Sequence, residues 1–123
     1  MRVYQPKRKN KNFLPHNVYM QVFYVIRDLP RLRAALYNEA DAHRLACARQ
    51  TLAAVEQACQ ETRSEFGGKV YDAFQAIKAY ESYDYFNYMF KRKSEDDEGP
   101  SKRTWNYYKS RLAKKIAEKL GIY

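Results

Sequence analysis

Large apolar residues recur every three or four positions along two successive stretches of the chain. In the first stretch the spacing alternates between four and three, and the residues are Val18, Val22, Val25, Leu29, Leu32 and Leu36. In the second stretch the side chains are smaller, and the residues are Leu45, Ala48, Leu52, Val55, Cys59, Thr62 and Phe66. Because this spacing places the residues on one face of an α-helix, each stretch predicts a helix with a core-facing seam. A large-residue seam beside a small-residue seam favours a helical hairpin over residues 15–66, although the same seams could instead join two copies as a homodimer.

The boundaries of these helices are marked by proline, glycine and capping residues. Pro30 lies inside the first pattern, where a proline costs about 3 kcal/mol or more, yet the unbroken spacing favours one kinked helix over two shorter helices. Asn17 is the predicted N-terminal cap of this helix. Gly67 and Gly68 are expected to end the second helix. A third helix is predicted over about 69–80 from the spacing of Val70, Phe74 and Ile77.

The segment 81–100 has no clear period. Five aromatic residues in 81–93 fit neither a helix nor a strand, so helix, strand and aromatic loop all stay open. Such rings can stack on unpaired bases, but rings that fill a core or an interface are the commoner case. The acidic run 94–100 is predicted to be an exposed linker.

The last part of the chain predicts a helix with two different faces. Ser101 is the expected N-terminal cap, and Gly121 is placed to end the helix. The apolar face consists of Trp105, Tyr108, Leu112, Ile116 and Leu120. The opposite face is polar, and residues 101–123 contain seven Lys/Arg against one acid, Glu118. A helix with one core-facing side and one cationic side is typical of a DNA-recognition helix.

The net charge of +9 is unevenly distributed over the chain. Residues 1–14 contribute +5, residues 15–100 contribute −2, and residues 101–123 contribute +6. Residues 1–14 are too polar to bury much surface and are predicted to form a flexible basic arm, followed by a single helical domain over 15–123. With only four Gly and four Pro in 123 residues, an all-α fold is expected. A near-neutral body with basic ends indicates a polyanion as partner.

The sequence gives little support for a membrane protein, a zinc-binding protein or an enzyme. The chain has no apolar run long enough for a membrane span and no signal peptide, so a cytoplasmic location in a bacterial host is expected. Cys47 and Cys59 are predicted to be reduced and buried, and with His16 and His43 they show no zinc-binding spacing. We find no catalytic motif, so no enzyme activity, catalytic residue, metal, cofactor or small-molecule substrate is predicted.

Three stretches resemble a known group of proteins: HNVYMQVFYVIRDLPRLR, KVYDAFQAI and RTWNYYKSRLAKKIAEKLGIY. They are similar to RinA/ArpU-like late-gene regulators of Gram-positive phages and prophages, whose C-terminal half is similar to the helix-turn-helix of sigma-70 region 4. The resemblance implies a supporting helix over 69–80 and a recognition helix over about 101–120. The chain departs from the group in its long connection, 81–100, where the group has a short one.

The sequence therefore predicts a sequence-specific double-stranded DNA-binding transcription regulator of phage or prophage type, with RNA polymerase as a further candidate partner. The predicted DNA-binding residues are Lys102, Arg103, Thr104, Asn106, Tyr107, Ser110, Arg111, Lys114 and Lys115. Arg103, Asn106 and Arg111 are the expected base readers, and Lys102, Lys109, Lys114 and Lys115 the expected phosphate contacts. The alternatives are a helical protein interaction module and a small DNA-packaging subunit of the terminase type. All the DNA-binding assignments require the polar face of the last helix to be uncovered.

Overall fold

The computed structural model of the chain describes residues 12–79 and 102–123, and every regular element in these two ranges is an α-helix. The helices are α1 (His16–Asn38), α2 (Ala42–Phe66), α3 (Lys69–Ala79) and α4 (Lys102–Leu120). The predicted all-α fold is thus confirmed. No helix within these residues has the length and uninterrupted apolar character that crossing a membrane requires. The predictions for residues 1–11 and 80–101, including the Ser101 cap, concern residues outside the described ranges.

Helix α1 runs without interruption through Pro30. The prediction of one helix rather than two is therefore confirmed. Its start differs from the prediction, because the helix begins at His16 and the Pro15 carbonyl accepts a hydrogen bond from the Tyr19 N–H at 3.0 Å. Asn17 lies inside the first turn with an exposed side chain, so its assignment as the N-terminal cap is wrong.

Both predicted seams pack within a single chain, and in the α2 seam buried and partly buried residues alternate. Val18, Val22, Leu29 and Leu32 of α1 belong to one core with Ala48 and Val55 of α2. The seam weakens toward the end of α1, where Leu36 is exposed. Because most seam residues already pack inside one chain, a homodimer through these helices would have to use other parts of their surfaces.

The helix ends follow the expected capping chemistry. The Asp41 carboxylate accepts a hydrogen bond from the Arg44 N–H at 2.9 Å and caps α2. Gly67 ends α2 with φ 65°, a conformation that residues with a Cβ rarely adopt, and its N–H donates to the Arg63 carbonyl at 2.8 Å. After α4, Gly121 has φ 75° and the Ile122 N–H donates to the Ala117 carbonyl at 3.1 Å, which is a Schellman ending. Both predicted glycine ends are confirmed.

The predicted flexible arm extends too far along the chain. Asn12 and Leu14 are each only 2% exposed, and Leu14 belongs to the hydrophobic core. A leucine gains roughly 1.5–3 kcal/mol from full burial, which is enough to hold the residues just before α1 against the domain. Among the described residues, the packed domain therefore already includes Asn12.

Helix α4 packs against α1, α2 and α3 and contributes several fully buried residues to the shared core. Four residues in two successive turns of α4 are fully buried, namely Leu112, Ala113, Ile116 and Ala117. The two alanines extend the buried surface beyond the predicted apolar face and allow neighbouring helices to approach closely. A helix with neighbours on several sides buries a wider arc than a helix at the surface.

The two cysteines, both on α2, are free thiols in different surroundings. Cys47 is exposed, with its Sγ 3.7 Å from His43 Nε2, so the prediction that it is buried is wrong. Cys59 is partly buried, and this burial raises the pKa of its thiol to about 11. The prediction for Cys47 came from the general tendency of free cysteines to be buried, because Cys47 is not one of the α2 seam residues.

Candidate nucleic-acid interface

The apolar face of α4 lies where the sequence predicts it. Trp105, Leu112 and Ile116 are buried, and Tyr108 and Leu120 are partly buried against the core. One side of α4 therefore packs into the core, as the helical wheel predicts.

The opposite face is not the uncovered polar surface that the sequence predicts. Asn106 and Ser110 are only 6% and 4% exposed. Neither the Asn106 Oδ1 nor the Ser110 Oγ forms a hydrogen bond with any described residue. Their assignment as DNA contacts is therefore wrong in this conformation, because the helical wheel sorts residues by polarity while burial depends on how many neighbours surround the helix.

Lys109 is fully buried, so its assignment as a phosphate contact is also wrong. Its Nζ lies 4.7 Å from the centroid of the Trp105 ring and 5.6 Å from that of Tyr19. Burial lowers the pKa of this ammonium to about 7, because removing water penalises the charged form. The faces of the two rings partly compensate for the lost hydration through cation–π attraction.

The surface that α4 does expose is a narrow edge. Arg103 and Tyr107 are exposed, and Arg111, Lys114 and Lys115 are partly exposed. These positions follow a spacing of three or four and so lie along one side of the helix. Five of the predicted site residues therefore lie at the surface, whereas Asn106 and Ser110 are buried. The side chains of Lys102 and Thr104 lie outside the described part of the structure.

Several cations along this edge are paired with carboxylates of α2. Arg111 makes two hydrogen bonds to Glu65, with Nη2 3.1 Å from Oε1 and Nε 3.2 Å from Oε2. Lys115 Nζ lies 3.2 Å from Glu65 Oε1, and Lys119 Nζ lies 2.6 Å from Glu61 Oε2. The hydrogen bond from Arg111 lowers the pKa of Glu65, and that from Lys119 lowers the pKa of Glu61. Both carboxylates are thus ionised at neutral pH and offset part of the charge of α4.

An open cavity of about 660 Å³, which we call the aromatic cavity, adjoins the first turns of α4. It is lined by Glu65, Phe66, Arg103, Tyr107 and Tyr108. Close by, Lys69 of α3 places its Nζ 5.6 Å from the centroid of the Tyr108 ring. Sequence reasoning missed this cavity, because Phe66 was assigned to the α2 seam and Lys69 to the start of a supporting helix. The sequence feature that could have predicted the cavity was the aromatic pair Tyr107–Tyr108 between Arg103 and Lys109.

This arrangement can hold anions and flat aromatic groups. Arginine and lysine donate to phosphate oxygens, and tyrosine rings offer stacking surfaces. Within the described ranges no three His, Cys, Asp or Glu side chains converge in a way that could hold a metal ion. Comparison of the chain with models of protein families, with curated proteins and with solved structures finds no match.

Proposed function

We propose that the chain binds double-stranded DNA through the exposed edge of α4 together with the start of α3. The observation that carries the proposal is the placement of two exposed cations, Arg103 and Lys69, at the two helix beginnings that meet near the aromatic cavity. The net charge of +9, concentrated in residues 1–14 and 101–123, supports a polyanion as the partner.

Contacts to phosphate supply most of the affinity in this proposal. Of the three residues predicted to read bases, Asn106 is buried and Arg111 is held by Glu65. Arg103 alone among the three has an exposed side chain that forms no ion pair with the described residues. Among these three residues, only Arg103 remains available for a base-specific contact. Arg103 and Lys69 are both available to bind the sugar-phosphate backbone.

The biological role in the proposal comes from the resemblance to phage late-gene regulators. On that basis the protein regulates transcription from a phage or prophage promoter, with RNA polymerase as a further candidate partner. A DNA-packaging subunit of the terminase type would bind DNA through the same cations. A footprinting experiment on the phage genome separates the two roles, because a regulator protects a promoter and a packaging subunit protects a packaging site.

The proposal is tested by removing exposed cations one at a time. Arg103→Ala and Lys69→Ala are each expected to weaken binding to a random-sequence 20-base-pair duplex about three- to tenfold at low salt. Each is also expected to reduce the slope of log affinity against log salt by about 1. Fluorescence anisotropy across a salt titration measures both quantities.

The matched control for this experiment is Arg49→Ala, which removes one exposed arginine from α2, on a part of the helix that does not line the aromatic cavity. It is expected to change affinity by less than about twofold, as surface charge alone affects binding only weakly. Equal effects of all three substitutions would show that the protein binds by net charge and not by this surface. The absence of measurable duplex binding by the wild-type protein at low salt would reject DNA binding altogether.

The carboxylates of α2 are expected to weaken binding, because they compete with phosphate for the cations of α4. The double substitution Glu61→Gln and Glu65→Gln releases Arg111, Lys115 and Lys119 from their carboxylate partners. We expect duplex affinity at low salt to increase about three- to tenfold and the salt slope to become steeper. The matched control is Glu56→Gln, an exposed carboxylate of α2 that takes no part in the ion pairs of α4. An unchanged affinity of the double variant would show that these cations do not contact DNA.

A groove between α1 and α3 favours a second function, as a protein interaction module. The groove has a volume of about 240 Å³ and is lined by Ile26, Leu29, Pro30, Arg33, Tyr71, Phe74 and Lys78. Tyr71 is strongly exposed there, and exposed tyrosines are common in protein interfaces. The salt titration distinguishes the two functions, because a module that binds only proteins has little DNA affinity to lose.

A further inference from the structure

Three aromatic rings from two helices meet beside the first turns of α4. The Phe66 ring centroid lies 5.6 Å from that of Tyr107 and 4.5 Å from that of Tyr108. The Tyr107 and Tyr108 rings are 6.0 Å apart in an edge-to-face arrangement. Tyr107 is nevertheless 39% exposed, so the cluster is not fully covered within the chain. Its packing against Phe66 fixes the ring position while leaving ring surface open to the cavity.

Two cations and one carboxylate lie around the three rings. Arg103 lines the cavity and Lys69 lies beside the Tyr108 ring. Glu65 also lines the cavity, and its pKa is lowered by the hydrogen bonds from Arg111 and Lys115, so it stays ionised at neutral pH. A phosphate placed inside the cavity would meet this carboxylate and be repelled. The ring-lined space therefore suits a neutral flat group, with anionic groups held by the cations at its border.

A ligand that joins a neutral flat ring to a phosphate is a nucleotide. We infer that the aromatic cavity binds an unpaired nucleobase, which stacks on Tyr107 while Arg103 and Lys69 hold the phosphates next to it. This inference rests on the proposed function, because the same cations bring the DNA backbone to the surface. It adds that the preferred ligand contains a single-stranded stretch.

Base pairing decides between single-stranded and double-stranded ligands. In an intact duplex both faces of each base are covered by neighbouring base pairs, so no base can present a face to Tyr107 without leaving the stack. Leaving the stack costs a few kcal/mol for a paired base and little for a base in a single strand. A chain that uses this cavity thus binds a single strand, or a duplex with an unpaired base, more tightly than its phosphate contacts alone allow.

The test compares three labelled probes of the same 12-nucleotide length: a mixed-sequence single strand, the corresponding duplex, and an abasic strand that keeps the sugar-phosphate backbone and has no bases. Tyr107→Ala is expected to weaken binding of the intact single strand about tenfold or more, since loss of one base–aromatic stack has effects of this size. Tyr107→Phe is expected to retain most of the affinity, because it keeps the ring. Duplex binding is expected to weaken less than single-strand binding in both variants, because the duplex keeps its contacts to Arg103 and Lys69 and presents no unpaired base to the ring.

Two further variants separate stacking from loss of structure. Tyr107→Leu keeps an apolar side chain against Phe66 but removes the π face, and it is expected to behave like Tyr107→Ala toward the single strand. Tyr37→Ala, at an exposed tyrosine near the end of α1, is the control and is expected to leave all three affinities unchanged. Thermal melting by circular dichroism checks that each variant is folded at the temperature of the binding assay.

The inference is overturned if Tyr107→Leu binds the intact single strand as well as the wild-type protein does, or if the abasic strand binds as tightly as the intact strand. If either result occurs while the duplex still binds with a steep salt dependence, the proposed DNA-binding function stands and only the stacking site is rejected. If none of the three probes binds, both are rejected.

Discussion

Replacing Lys109 by methionine is expected to stabilise the protein at pH 7 and to remove most of the dependence of its stability on pH between 7 and 9. Lys109 is fully buried, and its pKa falls from the usual 10.5 to about 7 on folding. The unfolded chain therefore binds more protons than the folded chain throughout this pH interval. For the wild-type protein, we expect the free energy of unfolding to rise by about 2 kcal/mol from pH 7 to pH 9. Urea denaturation at pH 7, 8 and 9 measures this rise.

The sign of this effect follows from the lowered pKa. The folded state disfavours the ammonium, so the destabilisation is greatest below pH 7 and disappears as pH approaches 10.5. Above pH 9 the partly buried Cys59 acts in the opposite direction, because its thiol pKa is raised to about 11 on folding. The control is Lys78→Met, which removes the same charge from an exposed lysine of α3. If Lys109→Met shows the same rise as the wild-type protein, Lys109 is not the group responsible.

Leu112→Ala is expected to lower the free energy of unfolding by about 3 to 5 kcal/mol. Leu112 has no exposed surface and belongs to the core that α4 shares with the other three helices. Removing a buried leucine side chain loses its transfer free energy and leaves a cavity that a core surrounded on several sides cannot readily collapse. Because small domains are stable by only about 5–15 kcal/mol, a loss of this size is expected to lower the melting temperature by many degrees.

Glu118→Ala is the matched control for Leu112→Ala, because it is an exposed position of the same helix. We expect it to change stability by less than about 0.5 kcal/mol, since alanine is a good helix former and little is buried there. Denaturant unfolding of the two variants side by side checks the prediction. Similar losses at both positions would show that the stability of α4 depends on its helical propensity and not on its packing.

Apolar periodicity was sufficient to predict the all-α class and the approximate positions of the described helices. The seam of α1 was predicted from Val18 to Leu36. The structure buries it as far as Leu32 apart from the partly covered Val25, and it exposes Leu36. The end of α2 at Gly67 and the end of α4 at Gly121 were predicted because few other residues adopt a positive φ at a helix terminus. These features depend on residues that are close together in the sequence, so they can be predicted from the sequence alone.

The candidate site was predicted less well because its geometry depends on neighbours distant in sequence. The wheel placed Asn106 and Ser110 on a solvent-facing surface, whereas α4 packs among three other helices. Ala113 and Ala117 were the missed signal, since small residues next to Leu112 and Ile116 indicate a wider buried arc. The ion pairs between α4 and Glu61 or Glu65 join residues about fifty positions apart, and no local pattern predicts them.

The unequal surroundings of the two cysteines provide a chemical handle that requires no mutagenesis. Cys47 lies exposed in the second turn of α2, whereas burial keeps the Cys59 thiol protonated well above neutral pH. A maleimide dye added near pH 7 therefore attaches at Cys47 in preference to Cys59. The wild-type chain can thus carry a fluorophore at the end of α2 opposite the aromatic cavity, which leaves the candidate ligand surface unmodified.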